Sequence, residues 1–411
     1  MAGSSRKMDR PDGAPPLRRP WRLFHPLCGS SIWNWVRLLT ASGGFDMQCL
    51  HQIANISTCS IFHSHDRARY WALYGQRLRR LNLKSPVFII GHWRSGTTMI
   101  HNLLAQDPAL AYPTLWHAIL PKTSVSAWYM RPLIERMMPE HRPMDNMATH
   151  IRTPYEEEAG MANLSTLSFW HAFFFPENAT RYFERGVMFD GLGRRDIEKW
   201  KRIYVNFLKM VSLGSEDRRL VLKNPANTAR IPTLLEMFPD ARFIFVYRNP
   251  YVVYPSTVWL HRAMIRAFSL QGQHIRGIEE RAFAFYRRLL DRYFATRHLV
   301  PEGRLVEIRF EDLEADPIGR MRAAYDALGL EGFEAARPGM QQYADSVSHH
   351  RKNGYKLDLG TIEQVRKEWA TTIDRWGYDV PVEVAQIRGD SFGQSEFVSE
   401  GHGRAAGRMT A

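Results

Sequence analysis

The stretch Phe88-Ile89-Ile90-Gly91-His92-Trp93-Arg94-Ser95-Gly96-Thr97-Thr98-Met99 constrains the fold more than any other part of the chain. An apolar run passes into a short loop with two glycines. The loop then opens a segment whose apolar residues Met99, Ile100, Leu103 and Leu104 share one helical face, and Asp107-Pro108 closes it. Three more apolar runs, at 220–222, 243–247 and 305–310, are each followed by a polar break and a helical pattern. Strands alternating with helices predict an α/β fold: a parallel sheet flanked by helices on both faces. Ligands of such sheets gather at the carboxyl ends of the strands, which is where chemistry is to be sought.

Gly91 and Gly96 carry the G-x-x-x-x-G spacing of a nucleotide phosphate loop, and Thr98 stands where that motif has Ser or Thr. Its lysine position, however, holds Thr97. Loop N–H groups and a helix N-terminus converging on one point suit an anion. Without the lysine that reaches the outer phosphates of a triphosphate, but with Arg94 in the loop, the shorter anion of a 5′-phosphate bearing one more charged group fits better. The run Arg94-Ser95-Gly96-Thr97-Thr98 resembles the 5′-phosphosulfate loop of sulfotransferases that use 3′-phosphoadenosine 5′-phosphosulfate (PAPS). The likeness extends over 86–379 and is nearest to the bacterial branch related to tyrosylprotein-type and lipid-modifying enzymes. It implies a P-loop-like sheet and PAPS as co-substrate bound by Arg94, Ser95, Gly96, Thr97 and Thr98; no metal is expected, since the sequence shows no metal-binding motif.

Two further strand ends fit the same reading. Arg248 closes the apolar run 243–247, and Ser256 follows eight residues later within a helix, so the two converge and can hold a second phosphate. The resemblance implies that this is the 3′-phosphate of PAPS. Lys223 stands at the end of the run 220–222, aimed at the same anion site; the resemblance implies that it contacts the sulfuryl group or the bridging oxygen and stabilises the leaving phosphate. His349-His350-Arg351-Lys352-Asn353-Gly354-Tyr355 resembles a basic segment that closes over the nucleotide, which marks Arg351 and Lys352 as cofactor contacts.

Sulfuryl transfer to an alcohol gains from a general base, typically by about 10²–10⁴-fold. Pro154-Tyr155-Glu156-Glu157-Glu158-Ala159 resembles the acidic P-x-E-D-E-F segment of this branch, with Glu157 in place of Asp and Ala159 in place of Phe. Glu156, Glu157 and Glu158 are therefore the catalytic candidates with Lys223. Neighbours on a helix diverge, so one of the three carboxylates faces the substrate. Acidic residues also favour helix N-termini for dipole reasons alone, and His92 and His117 stay open as rival bases. No H-E-x-x-H, G-x-S-x-G or paired-cysteine motif occurs.

The 411 residues allow one large α/β domain with extensions. The expected division is a disordered tail at 1–20, a helical extension at 21–83, the sulfotransferase domain at 84–388 and a second disordered tail at 389–411. In the extension Ile32, Trp35, Val36 and Leu39 share one helical face, as do Trp71, Tyr74 and Leu78. A stretch without Asp, Glu, Lys or Arg, 47–65, is too rich in Gln, His, Asn, Ser and Thr to span a bilayer. The net charge of +13 admits nucleic acid, an anionic membrane or a polyanionic ligand; the dispersal of its cations argues against nucleic acid. Three cysteines without metal or redox spacing and an N-terminus without an apolar signal core point to the cytoplasm. The uncharged aromatic stretches 108–121 and 159–176 suit a lipidic or amphiphilic hydroxyl acceptor, reached by peripheral contact at the inner membrane face. A P-loop kinase or NTPase is the first alternative, disfavoured by Thr97. A nucleotide-binding protein without turnover is the second, disfavoured by the joint presence of Arg94, Lys223, Arg248 and Ser256.

Overall fold

A computed structural model describes residues 25–138, 150–215, 218–272, 276–348, 354–381, 384, 386 and 387. The tails expected at 1–20 and 389–411, and the pair Arg351 and Lys352, lie outside the described residues.

Five parallel strands form the central sheet: β1 (Val87–Gly91), β2 (Leu110–Ala111), β3 (Arg219–Lys223), β4 (Arg242–Tyr247) and β5 (Leu305–Arg309), in the order β2-β3-β1-β4-β5. In register, Ile89 lies beside Lys223 and Gly91 beside Val246, so the three strand ends with the chemistry are immediate neighbours. Alternate side chains of a strand point to opposite faces. Phe88, Ile90, Leu220, Leu222, Phe243 and Phe245 accordingly join one core, and Val87, Ile89, Val221, Ile244 and Val246 the other. Both faces are covered, which is why these strands read in the sequence as unbroken apolar runs.

Ahead of the sheet come α1 (Ile32–Ala41) and α2 (Leu50–Arg80). Ser31 starts α1 by accepting a hydrogen bond from the backbone N–H of Asn34. Trp35 and Leu38 of α1 and Ile53 and Ile56 of α2 enter the larger core. Of the two expected faces, Trp35 and Leu78 are buried and Ile32, Leu39 and Tyr74 pack against the cores, whereas Val36 and Trp71 are exposed. The two helices are tied together by Trp35 Nε1 donating to Ser57 Oγ at 2.9 Å. The extension is bonded to the body as well, by Asn34 Nδ2 to the Ala162 carbonyl (3.3 Å) and His25 Nε2 to the Phe268 carbonyl (2.9 Å).

Candidate active site

β1 runs into the glycine loop and then α3 (Thr97–Leu104). The loop is locked from beneath. Thr228 Oγ1 accepts from the Gly91 N–H at 2.8 Å and donates to the Gly91 carbonyl at 2.9 Å. The buried hydroxyl of Ser95 turns inward to the His92 carbonyl at 2.8 Å. Gly96 has φ +98°, and a Cβ there would meet the Phe310 ring at 2.0 Å, so no other residue fits without rearrangement. Arg94 itself sits at φ 70°, a conformation that costs a non-glycine residue about 1–2 kcal/mol. The strained turn sends its side chain across to the second strand end, where Arg94 Nε donates to Ser256 Oγ at 2.7 Å.

Arg248, at the end of β4, lies over the Phe310 ring at 4.4 Å and donates to the Arg94 carbonyl at 3.5 Å. Burial, followed by the charge of Arg94, lowers its pKa. Two guanidiniums held this close call for an anion between or beside them. Tyr355 adds a third group, its hydroxyl donating to Ser256 Oγ at 3.2 Å.

The glycine loop, Arg248, Ser256 and Tyr355 line one cleft of about 900 Å³ with Lys223, Glu156, Tyr112, Tyr155, Trp170 and Phe173. One part of the wall is therefore cationic and another aromatic. At their junction Lys223 Nζ lies 2.5 Å from Glu156 Oε1, and Trp170 Nε1 donates to Glu156 Oε2 at 3.3 Å.

Glu156 precedes the first turn of α6 (Glu157–Leu164), with an extended backbone at φ −66°, ψ 128°. That placement turns its side chain away from its two neighbours. Glu157 is buried: Tyr204 Oη donates to its Oε1 at 3.0 Å and Asn227 Nδ2 at 2.8 Å. Burial pushes its pKa up to about 7, against the lowering effect of its hydrogen bonds. Glu158 is buried against Arg230 in a two-pronged pair of 2.9 and 3.2 Å, with Asn224 Nδ2 at 2.7 Å and the Phe169 N–H at 3.0 Å. Burial raises its pKa, but the Arg230 charge and these hydrogen bonds outweigh that, leaving it lowered. Because Asn224 adjoins Lys223, the Glu158 cluster fixes the end of β3 and the start of α6 together.

The two histidines lie elsewhere. His92 is buried, its Nδ1 2.7 Å from the Trp93 carbonyl, and burial lowers its pKa to about 3. His117 caps α4 (Leu115–Ile119) by accepting from the Thr114 N–H, and burial, then Arg131, lowers its pKa to about 4. Of the five candidate bases, Glu156 alone lines the cleft. The aromatic stretches divide similarly: Tyr112, Trp170 and Phe173 line it, the last two from the edge of the larger core, whereas Trp116, Phe169, Phe174 and Phe175 belong to that core and do not reach the cleft. The sequence did not single out Asn102, Gln106 and Tyr343 on the cleft wall, or Arg230, Asn227 and Tyr204 behind it. The loop 224–230, with two asparagines and an arginine directly after a strand, was the available signal for the last group.

The family model described as "Sulfotransferase family" matches residues 86–335. The chain belongs to the sulfotransferase family. It is 35% identical over 308 residues to omega-hydroxy-beta-dihydromenaquinone-9 sulfotransferase Stf3 of Mycobacterium bovis, covering 75% of this chain and 79% of that protein. Two solved structures share the fold at 18% identity. Sulfotransferase STF9 of Mycobacterium avium has a TM-score of 0.61, covering 87% of this chain and 98% of its own. Sulfotransferase STF1 of Mycobacterium tuberculosis H37Rv has 0.55, covering 82% and 90%. For this sulfotransferase, the described residues contain no cluster of His, Cys, Asp or Glu arranged to hold a metal. No described helix is long and apolar enough to cross a membrane.

Proposed function

We propose that this sulfotransferase takes its sulfuryl group from PAPS and passes it to the hydroxyl of a lipidic acceptor at a membrane surface. The observation that carries the reading is the Lys223–Glu156 pair at the junction of a cationic and an aromatic wall. In this assignment the glycine loop with α3 and Arg94 holds the 5′-phosphosulfate, and Arg248 with Ser256 holds the 3′-phosphate. The aromatic wall of Tyr155, Trp170 and Phe173 takes the apolar acceptor. The acceptor oxygen attacks sulfur as the bond from sulfur to the phosphate oxygen breaks, and its proton passes to Glu156. Lys223 neutralises the charge that grows on the leaving oxygen. The identity of the menaquinone-derivative relative favours a greasy acceptor.

Arg248→Ala tests the donor assignment. Loss of a charge-assisted contact should weaken binding of PAPS and of its 3′,5′-bisphosphate product by about 1.5–3 kcal/mol, read by calorimetry. The variant should also stop distinguishing PAPS from adenosine 5′-phosphosulfate. A wild type that already treats those two donors alike would refute the 3′-phosphate site. The acceptor is read by transfer of radiolabel from PAPS into a lipid extract, where transfer only to soluble saccharides would sink the lipidic assignment.

A further inference from the structure

Large exposed apolar side chains are unevenly spread over this molecule. Among the described residues they fall on α1, α2, their connection and the 128–133 segment, with just Leu299 and Leu359 elsewhere. Trp33 is 71% exposed and Trp128 67%, far beyond what a packing role would leave open.

These elements adjoin one another. The start of α1 meets the middle of α2 where the Ile32 N–H donates to Ser64 Oγ at 3.0 Å, which sets Trp33 beside the turn bearing Ile61 and Phe62. The next residue, His63, reaches Thr123 at 3.5 Å, at the start of the segment that carries Trp128, Tyr129 and then Leu133 in α5 (Arg131–Met137). That segment in turn packs on the wall of the cleft. The Arg131 guanidinium lies 5.3 Å over the Trp116 ring, and the backbone of 113–116 pairs with 151–155, whose Thr153, Pro154 and Tyr155 line the cleft.

We propose that this face, centred on Trp33, Phe62, Trp128 and Leu133, docks onto an anionic lipid bilayer and brings the acceptor side of the cleft to the membrane. The inference rests on the lipidic acceptor proposed above and adds the surface that serves it. Indole and phenol rings favour the bilayer interface, where an apolar body meets a wet edge. The charge on these elements is neutral over 25–64 and positive over 108–138 and at the end of α2, a balance that suits an anionic surface. Residues 25–64 contain Arg37 and Asp46 as their only Lys, Arg, Asp or Glu, and 108–138 contain Lys122, Arg131 and Arg136 against Glu135. The C-terminal turn of α2 adds Arg77, Arg79 and Arg80. A greasy, neutral centre with cations on the neighbouring 122–136 segment and farther along α2 complements lipid headgroups over acyl chains.

The test uses the full chain and phosphatidylcholine vesicles with phosphatidylglycerol at about one part in three, in a flotation assay. Two double variants, Trp33→Ser with Phe62→Ser and Trp128→Ser with Leu133→Ser, should each reduce vesicle partitioning by about tenfold. All four side chains are exposed, so binding of the 3′,5′-bisphosphate and turnover of a soluble short-chain alcohol should stay at wild-type level. Turnover of a long-chain alcohol dissolved in the vesicles should fall with partitioning. Leu299→Ser with Leu359→Ser, the exposed apolar pair away from this face, should change neither. A wild type that does not float overturns the proposal, as do double variants that float equally well. So does a wild-type dimer in sedimentation that the double variants split, because the face then belongs to a second copy of the chain. Flotation that depends on the face, with no turnover of any lipidic alcohol, supports the docking surface and removes the acceptor assignment alone.

Discussion

Glu156 and its neighbours show how little of a residue's role is contained in its type. Three consecutive glutamates have three environments: Glu156 is on the cleft wall against Lys223, Glu157 is sealed behind it with Tyr204 and Asn227, and Glu158 is locked to Arg230. If Glu156 is the base, Glu156→Gln should lower kcat by about 10²–10⁴-fold while donor affinity changes little. Lys223→Ala should also lower kcat, through the leaving oxygen rather than the attacking one. The two can be told apart with a donor whose leaving group is a stabilised phenolate. Such a donor needs little help in departing, so it should rescue Lys223→Ala and leave Glu156→Gln slow. His92→Gln should keep its kcat, because a buried imidazole whose pKa is lowered to about 3 stays neutral and does not face the cleft. Full turnover in Glu156→Gln would move the base elsewhere.

At the scale of elements, α6 joins stability to pH. Burial raises the Glu157 pKa from 4.5 to about 7, so the folded state binds a proton that the unfolded chain has released between those values. Stability must therefore fall as pH rises through that window, and the loss is complete above about pH 7. Glu157→Gln removes the titration. In urea unfolding it should be more stable than wild type at pH 8, by up to about 3 kcal/mol, and of similar stability at pH 5. A constant difference across that range would show that Glu157 does not titrate there. The elements themselves were largely legible in the sequence. β1, β3 and β4 are buried on both faces and cannot be written with polar residues, and a loop built around Gly91 and Gly96 admits few alternatives. The direction of each glutamate was not legible, because Glu156 has extended backbone where a helical third of a turn was expected. Nor was Arg230, whose partner Glu158 is 72 residues away and is chosen by the packing of β3 against α6. Long-range pairing leaves no periodic trace, whereas burial of a strand does.

Over the whole molecule, the helical extension raises the question of whether the chain has one cooperative unit or two. A boundary near residue 84 follows from the change of sequence pattern, yet α1 and α2 contribute Trp35, Leu38, Ile53 and Ile56 to the same core that holds Phe88, Leu222 and Phe245. Polar bonds cross the boundary as well: Ser30 Oγ donates to the Asn163 carbonyl in α6, Asn34 Nδ2 to the Ala162 carbonyl, and the Asp46 N–H to the Leu270 carbonyl at 2.8 Å. Since α6 is also the helix that Glu156 introduces, the extension buttresses the element that presents the proposed base. We therefore predict that extension and sheet unfold together. Trp35 is almost wholly buried, so Trp35→Ala should destabilise by roughly 3–5 kcal/mol. The loss should appear as a shift of one transition, with far-ultraviolet circular dichroism, tryptophan fluorescence and 3′,5′-bisphosphate binding lost at the same urea concentration. An independent extension would behave otherwise. Trp35→Ala would then split off an early step in which helical signal falls while nucleotide binding persists, and 84–388 would stand as a unit of its own.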